Sequence, residues 1–216
     1  MKKVALKLCI MAGIFVVGFV GFSYDAEALK ITNNSINKKH DVSVSTWGAG
    51  GNQSIYTILP NHTENWSRSD EDGVLTVNHT INKTYFLKSS DHAYIDYKNG
   101  EYVLTTYYGS LFALPVNTNV PEGTNGNIKV KNNYGSDIYV AVNKWGSGNG
   151  SYFKIKNNST ESWSRKDKRG YLVAVKKGKT KHHYYVKSGT ELIIDRNGFA
   201  SIGGKRVEPI SMRGGL

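Results

Sequence analysis

The chain has 216 residues, of which 28 are Lys or Arg and 17 are Asp or Glu, for a formal net charge of +11. Its one cysteine, Cys9, lies in the N-terminal apolar segment, so the rest of the chain can hold neither a disulfide framework nor a cysteine metal site. A charge this basic points to polyanionic partners rather than to a particular fold.

Residues 1–28 have the layout of a cleaved signal peptide. Lys2, Lys3 and Lys7 are basic, Leu8 to Phe22 carry no charge, and Ala26-Glu27-Ala28 is a small-residue cleavage pattern. The apolar run of 15 residues is shorter than the roughly 20 a spanning helix needs. The mature chain is expected to begin at Leu29 and to be secreted, free or associated with the cell surface.

Beyond Leu29 the chain repeats itself. Trp47-Gly48-Ala49-Gly50 recurs as Trp145-Gly146-Ser147-Gly148, at an offset of 98 residues. Trp66-Ser67-Arg68-Ser69-Asp70, with Gly73 and Leu75 beyond it, recurs 97 residues on as Trp163-Ser164-Arg165-Lys166-Asp167, with Gly170 and Leu172. Tyr85-Phe86-Leu87-Lys88-Ser89 recurs 99 residues on as Tyr184-Tyr185-Val186-Lys187-Ser188, and Asp96 matches Asp195. A nearly fixed internal period means repeated structural units. The expected boundaries are 29–111 for the first repeat, 112–126 for a linker rich in Pro, Gly and Asn, 127–203 for the second repeat and 204–216 for a Gly-rich tail.

Within each repeat the apolar pattern alternates. Val42-Ser43-Val44, Ile55-Tyr56-Thr57-Ile58, Leu75-Thr76-Val77, Tyr85-Phe86-Leu87, Tyr94-Ile95-Asp96-Tyr97 and Glu101-Tyr102-Val103-Leu104 are short runs of good strand formers. Ile138 to Val142, Tyr152 to Ile155, Leu172 to Val175, His183 to Val186 and Leu192 to Asp195 are their counterparts. Gly and Asn clusters punctuate them every 8–12 residues, the spacing of an all-β sandwich or barrel. The expected fold is all-β: two tandem antiparallel β-sandwiches of six or seven strands each. The alternative is a single sandwich to which each repeat gives one sheet.

No motif with a catalytic mechanism stands out, so the chain is read as non-enzymatic and without a cofactor. Trp66-Ser67-Arg68 and Trp163-Ser164-Arg165 could offer a stacking ring and a guanidinium to a ligand. A core Trp with Arg and Asp closing a turn as an ion pair explains them better, because buried aromatics dominate small cores. The Trp-Gly-x-Gly loops are not nucleotide cradles, since Tyr152-Phe153-Lys154-Ile155 reads as strand where a helix is needed. Asp70-Glu71-Asp72-Gly73 lacks the further oxygen ligands of a calcium loop. His182 and His183 face opposite ways on a strand.

Charge separates the repeats. Residues 29–111 hold seven Lys or Arg against eight Asp or Glu, a net −1, while residues 112–216 hold eighteen against seven, a net +11. Duplicated units that keep one apolar pattern and diverge in charge have diverged in use. The candidate binding residues are Lys166, Lys168, Arg169, Lys176, Lys177, Lys179 and Lys181, expected on the surface, with Trp145 and Tyr152 as exposed adhesive aromatics. The partners such a field selects outside a cell are an anionic membrane surface, a teichoic acid or an acidic glycan, with non-specific contact to released nucleic acid.

The layout Asn132-Asn133-x-Gly135-x-Asp137-Ile138-x-Val140, then Trp145-Gly146-Ser147-Gly148, then Glu161-Ser162-Trp163-x-Arg165, resembles small secreted β-sandwich cytolysins such as the aegerolysins and actinoporin-like proteins. The resemblance implies a sandwich per repeat and toxin-like or antimicrobial action at a cell surface. Those proteins are single sandwiches, and Lys30-Ile31-Thr32-Asn33-Asn34 is not the amphipathic helix that an actinoporin uses to make a pore. The sequence thus points to a secreted binding protein for an anionic or glycan cell-surface target. The rival is a structural matrix or envelope protein whose open sheet edges pair between molecules.

Overall fold

A computed structural model describes residues 28–46, 54–68, 73–114, 126–145, 151–165 and 170–210. The expected signal peptide, Trp47, most of the linker and Lys166, Lys168 and Arg169 lie outside the described residues. The first half holds β1 (Leu29–Asn33), β2 (His40–Val44), β3 (Tyr56–Ile58), β4 (Thr63–Trp66), β5 (Val74–Asn78), β6 (Lys83–Leu87), β7 (His92–Lys98), β8 (Glu101–Thr106) and β9 (Gly109–Ser110). The second holds β10 (Gly126–Asn132), β11 (Ile138–Val142), β12 (Phe153–Ile155), β13 (Thr160–Arg165), β14 (Tyr171–Lys177), β15 (Thr180–Val186), β16 (Glu191–Ile194), β17 (Ala200–Ile202) and β18 (Lys205–Val207). Among the described residues there is no helix, and so none long and apolar enough to cross a membrane.

The strands form four sheets in two pairs. In the first half β4-β1-β7-β8-β9 faces β3-β2-β5-β6; in the second, β13-β10-β16-β17-β18 faces β12-β11-β14-β15. The two orders match strand for strand. Among the described residues nine strands per half replace the six or seven expected, because the opening strands β1 and β10, the Trp strands β4 and β13 and the edge strands β9 and β18 also pair.

Two of the four sheets, those that hold β1 and β10, are mixed, while the sheets of β2 and β11 are antiparallel throughout. β1 pairs parallel with β7, and β10 with β16. The physical reason is the route of the chain. It leaves β1 for the opposite sheet, returns antiparallel on one flank as β4, crosses over again through β5 and β6, and reaches the other flank as β7; such crossover connections are what parallel neighbours require.

Buried Asn residues anchor these opening strands. Asn33 Nδ2 donates to Ile58 O (3.0 Å) and Lys38 O (2.8 Å), while its Oδ1 accepts from the Ser35 backbone N–H. Asn132 Nδ2 does the same to Ile155 O (2.9 Å) and Ser136 O (2.8 Å). Each amide replaces backbone bonds that the turn to the next sheet leaves open.

The strands β5 and β14, at the middle of the inner sheets, are covered on both faces. All five residues of β5 and the first five of β14 are buried. One face of each packs on its own sandwich, as Tyr171, Val173 and Val175 do with Ile128 and Val130. The other faces meet: Leu172, Ala174 and Ala141 join the first half's cluster with Leu75 and Phe86. Phe86 and His183 lie 5.5 Å apart across this seam, and Lys144 N donates to Thr46 O at 3.1 Å. The matched Gly73 and Gly170 are needed here, since a Cβ on either would run into the ring of Phe86 or Tyr185.

Candidate functional site

The duplicated Trp-Ser-Arg motif builds the core. Trp66 is 5 % and Trp163 7 % exposed, and each meets an aromatic edge-on, Tyr56 at 5.9 Å and Phe153 at 6.1 Å. Both arginines are buried and donate to backbone carbonyls. Arg68 Nε reaches Ser45 O (2.9 Å) and Arg165 Nε reaches Asn143 O (2.9 Å). Nη2 of Arg165 adds Val142 O (2.9 Å), and each Nη1 turns back to the carbonyl of the preceding serine. Burial lowers both guanidinium pKa values from their ordinary range. These guanidiniums tie the Trp strand to the end of β2 or β11, and are not presented to a ligand. Asp70 and Asp167 lie outside the described residues, and with them the expected ion pair.

The basic residues gather into one row. In the register of the second inner sheet, Lys154 faces Tyr139, Tyr139 faces Lys176, and Lys176 faces Lys181. Residues directly opposite share a face and stand about 5 Å apart, so three lysines and a phenol line up across four strands. Lys154 also bonds Asp137 at 2.8 Å, and its ammonium holds that carboxyl below its usual range. Lys179 is exposed in the turn joining β14 and β15.

Three expectations change. Lys177 is not on the surface: it is 9 % exposed, its ammonium donates to Gly198 O, and it lies 5.8 Å over the Tyr134 ring. Burial lowers its pKa, with Asp195 acting against that. It points into the second sandwich because it shares the face of Tyr171, Val173 and Val175, and strand neighbours alternate, which leaves Lys176 on the face of Leu172 and Ala174. Trp145 is partly buried, packs against both core clusters, and gives its Nε1 hydrogen to Gly170 O at 3.0 Å. Tyr152 packs against the shared cluster with its ring under the Lys176 ammonium at 3.7 Å. The two aromatics therefore belong to the seam rather than to a free loop, and Tyr152 holds a lysine of the row.

Sequence reasoning missed Tyr139 and Lys154, whose place in the row follows only from strand register. Among the described residues no three His, Cys, Asp or Glu side chains gather as a metal would need. No protein-family model matches the chain, and no curated protein matches it.

Proposed function

We propose that the chain is an exported, non-enzymatic protein that binds an anionic cell-surface target: a lipid surface, a teichoic acid or an acidic glycan. On this reading residues 1–28 are removed on export. The two halves are copies of one unit, and the second copy became basic. The layout likeness to secreted cytolysins adds toxin-like or antimicrobial action as the consequence of binding.

The observation that carries the reading is the row Lys154–Tyr139–Lys176–Lys181 in the half whose net charge is +11. Lysines directly opposite repel each other, and an anion placed between them turns that repulsion into attraction. Assembly through open sheet edges has less support. The free edge of β6 is covered where Leu114 N donates to Thr84 O (2.7 Å), and that of β15 where Ile210 N donates to His183 O (2.8 Å).

The test uses the whole mature chain, because the halves share core residues. Binding to phosphatidylserine vesicles and to purified teichoic acid is measured from low to high salt, for wild type and for Lys176→Glu with Lys181→Glu. The wild type should bind and weaken steeply with salt. The double variant should bind at least tenfold more weakly at low salt while melting near wild type. Salt-independent binding, or binding unchanged by the charge reversals, would overturn the reading.

A further inference from the structure

The end of the first sandwich farthest along β7 has a groove whose counterpart in the second half is filled. It has a volume of about 460 Å³ and is lined by Asn34, Ile36, Asn37, Asp96, Tyr97 and Tyr102, among others. That size lies within the roughly 300–1,000 Å³ of small-molecule sites. Tyr97 and Tyr102 are opposite each other on β7 and β8, with ring centroids 4.9 Å apart. Tyr102 is held from behind: the buried His40 ring meets it edge-on at 4.6 Å, and Lys38 Nζ lies 4.8 Å from its centroid. Tyr97 is 64 % and Ile36 88 % exposed.

A fixed carboxylate lines the same groove: Asp96 precedes Tyr97 on β7 and leaves the strand on its opposite face. Asp96 Oδ1 accepts from Asn34 Nδ2 at 2.8 Å, and Oδ2 from Thr105 Oγ1 at 2.5 Å. A carboxylate has about four acceptor sites, so each oxygen keeps capacity for a ligand hydroxyl. Asn34 spends one of its two amide hydrogens on this bond.

The second half shows why the groove is open here. Ser35 and Tyr134 occupy matching places, two residues after the buried Asn33 and Asn132. Ser35 is small and turned inward, donating to Asn33 Oδ1 at 2.7 Å. Tyr134 instead reaches across to the hairpin, where a Cβ on Gly198 would stand 3.2 Å from its ring and 3.1 Å from Lys177 Nζ. Asp195, the match of Asp96, is turned to its own hairpin, accepting from the N–H groups of Asn197 (2.9 Å) and Phe199 (2.8 Å). The same place in the fold is thus filled in one half and open in the other.

The lining chemistry selects the ligand class. Asp96 and Lys98 both line the groove, so its charges balance and favour neither an anion nor a cation. A metal cation needs several oxygen ligands, and among the described residues no three His, Cys, Asp or Glu side chains gather to supply them. A pyranose ring has one face of C–H groups, which suits the negative face of an aromatic ring, and a rim of hydroxyls that both donate and accept. We propose that this groove binds a sugar unit of a neutral glycan, its ring against Tyr97 and its hydroxyls on Asp96 and the Asn34 amide. The two halves would then engage two chemistries of one surface, a neutral glycan and a polyanion.

The test titrates the mature chain with cellotriose, chitotriose, mannotriose and lactose, read by ligand-detected NMR and calorimetry. Salt is held at about 0.5 M to screen the basic row. At least one probe should bind. Tyr97→Ala and Asp96→Asn should each weaken it tenfold or more, and Tyr97→Phe should stay within threefold. Lys176→Glu with Lys181→Glu should leave sugar binding unchanged while lowering vesicle binding, so failure here and failure of the polyanion reading are separable. Because Tyr97 is exposed, its truncation leaves the core intact, and melting curves check this. No binding by any probe, or binding that survives both Tyr97→Ala and Asp96→Asn, would overturn the proposal.

Discussion

The matched Trp66 and Trp163 do the same work in both halves, and that makes single substitutions informative. Trp66 and Trp163 are buried against an aromatic edge, and no solvent-facing role is left to them. Trp163→Ala and Trp66→Ala should each destabilise the protein by about 3–5 kcal/mol, as core Trp truncations do; denaturant melts of the two variants check this. His40 makes a pH-dependent contribution. It is buried beside Asn78, whose Nδ2 stands 3.0 Å from His40 Nδ1, and burial lowers its pKa below the usual 6.5, with Lys38 adding to that and Asp41 opposing it. The unfolded chain therefore takes up this proton first as pH falls. Stability should be full above about pH 6.5 and decline below it, through the lowered folded value. His40→Gln should flatten that decline in melts from pH 7.5 to 5, although His92 and His182, also lowered, keep part of it. A slope unchanged by the substitution would remove His40 from the account.

At the scale of elements, the strands β5 and β14 set the architecture. Leu75-Thr76-Val77 alternates in sequence, which ordinarily means one face in water, while Leu172-Val173-Ala174-Val175 is continuously apolar. Here the second face is apolar or small as well, and it is buried because two inner sheets meet. Leu172→Asp would place a charge in that seam, away from its own sandwich. It should lower the melting temperature of the whole chain and expose apolar surface to a dye, whereas a change confined to the second sandwich would leave the first half's melt untouched. The opening strands were less legible. Leu29–Asn33 and Gly126–Asn132 end on a polar residue in a buried position, and only the tertiary acceptors Ile58 O and Ile155 O explain why Asn stands there.

At the scale of the whole molecule, charge and shape divide between the halves. The second half holds the excess of cations and aligns three of them in one row, while the first is nearly neutral and holds the open groove. The seam between them fixes both surfaces to one body, so binding at each is expected to respond to loss of the seam but not to loss of the other site.

The sequence alone determined the all-β class, the internal period, the core identity of Trp66 and Trp163 and the placing of positive charge in residues 112–216. Those properties are local or additive: strand propensity, turn residues and net charge need no partner to be read. Only the tertiary structure decided which cation is exposed. Lys176 and Lys177 are neighbours in sequence, yet one joins the row and the other donates to Gly198 O inside the sandwich, because the pleat sends adjacent side chains to opposite faces and Lys177 shares the face of Tyr171, Val173 and Val175 that packs on its own sandwich. The parallel pairing of β1 with β7 and the filling of one groove by Tyr134 were likewise decided there. Each depends on contacts between residues far apart in the chain, where spacing along the sequence carries no information about distance in space.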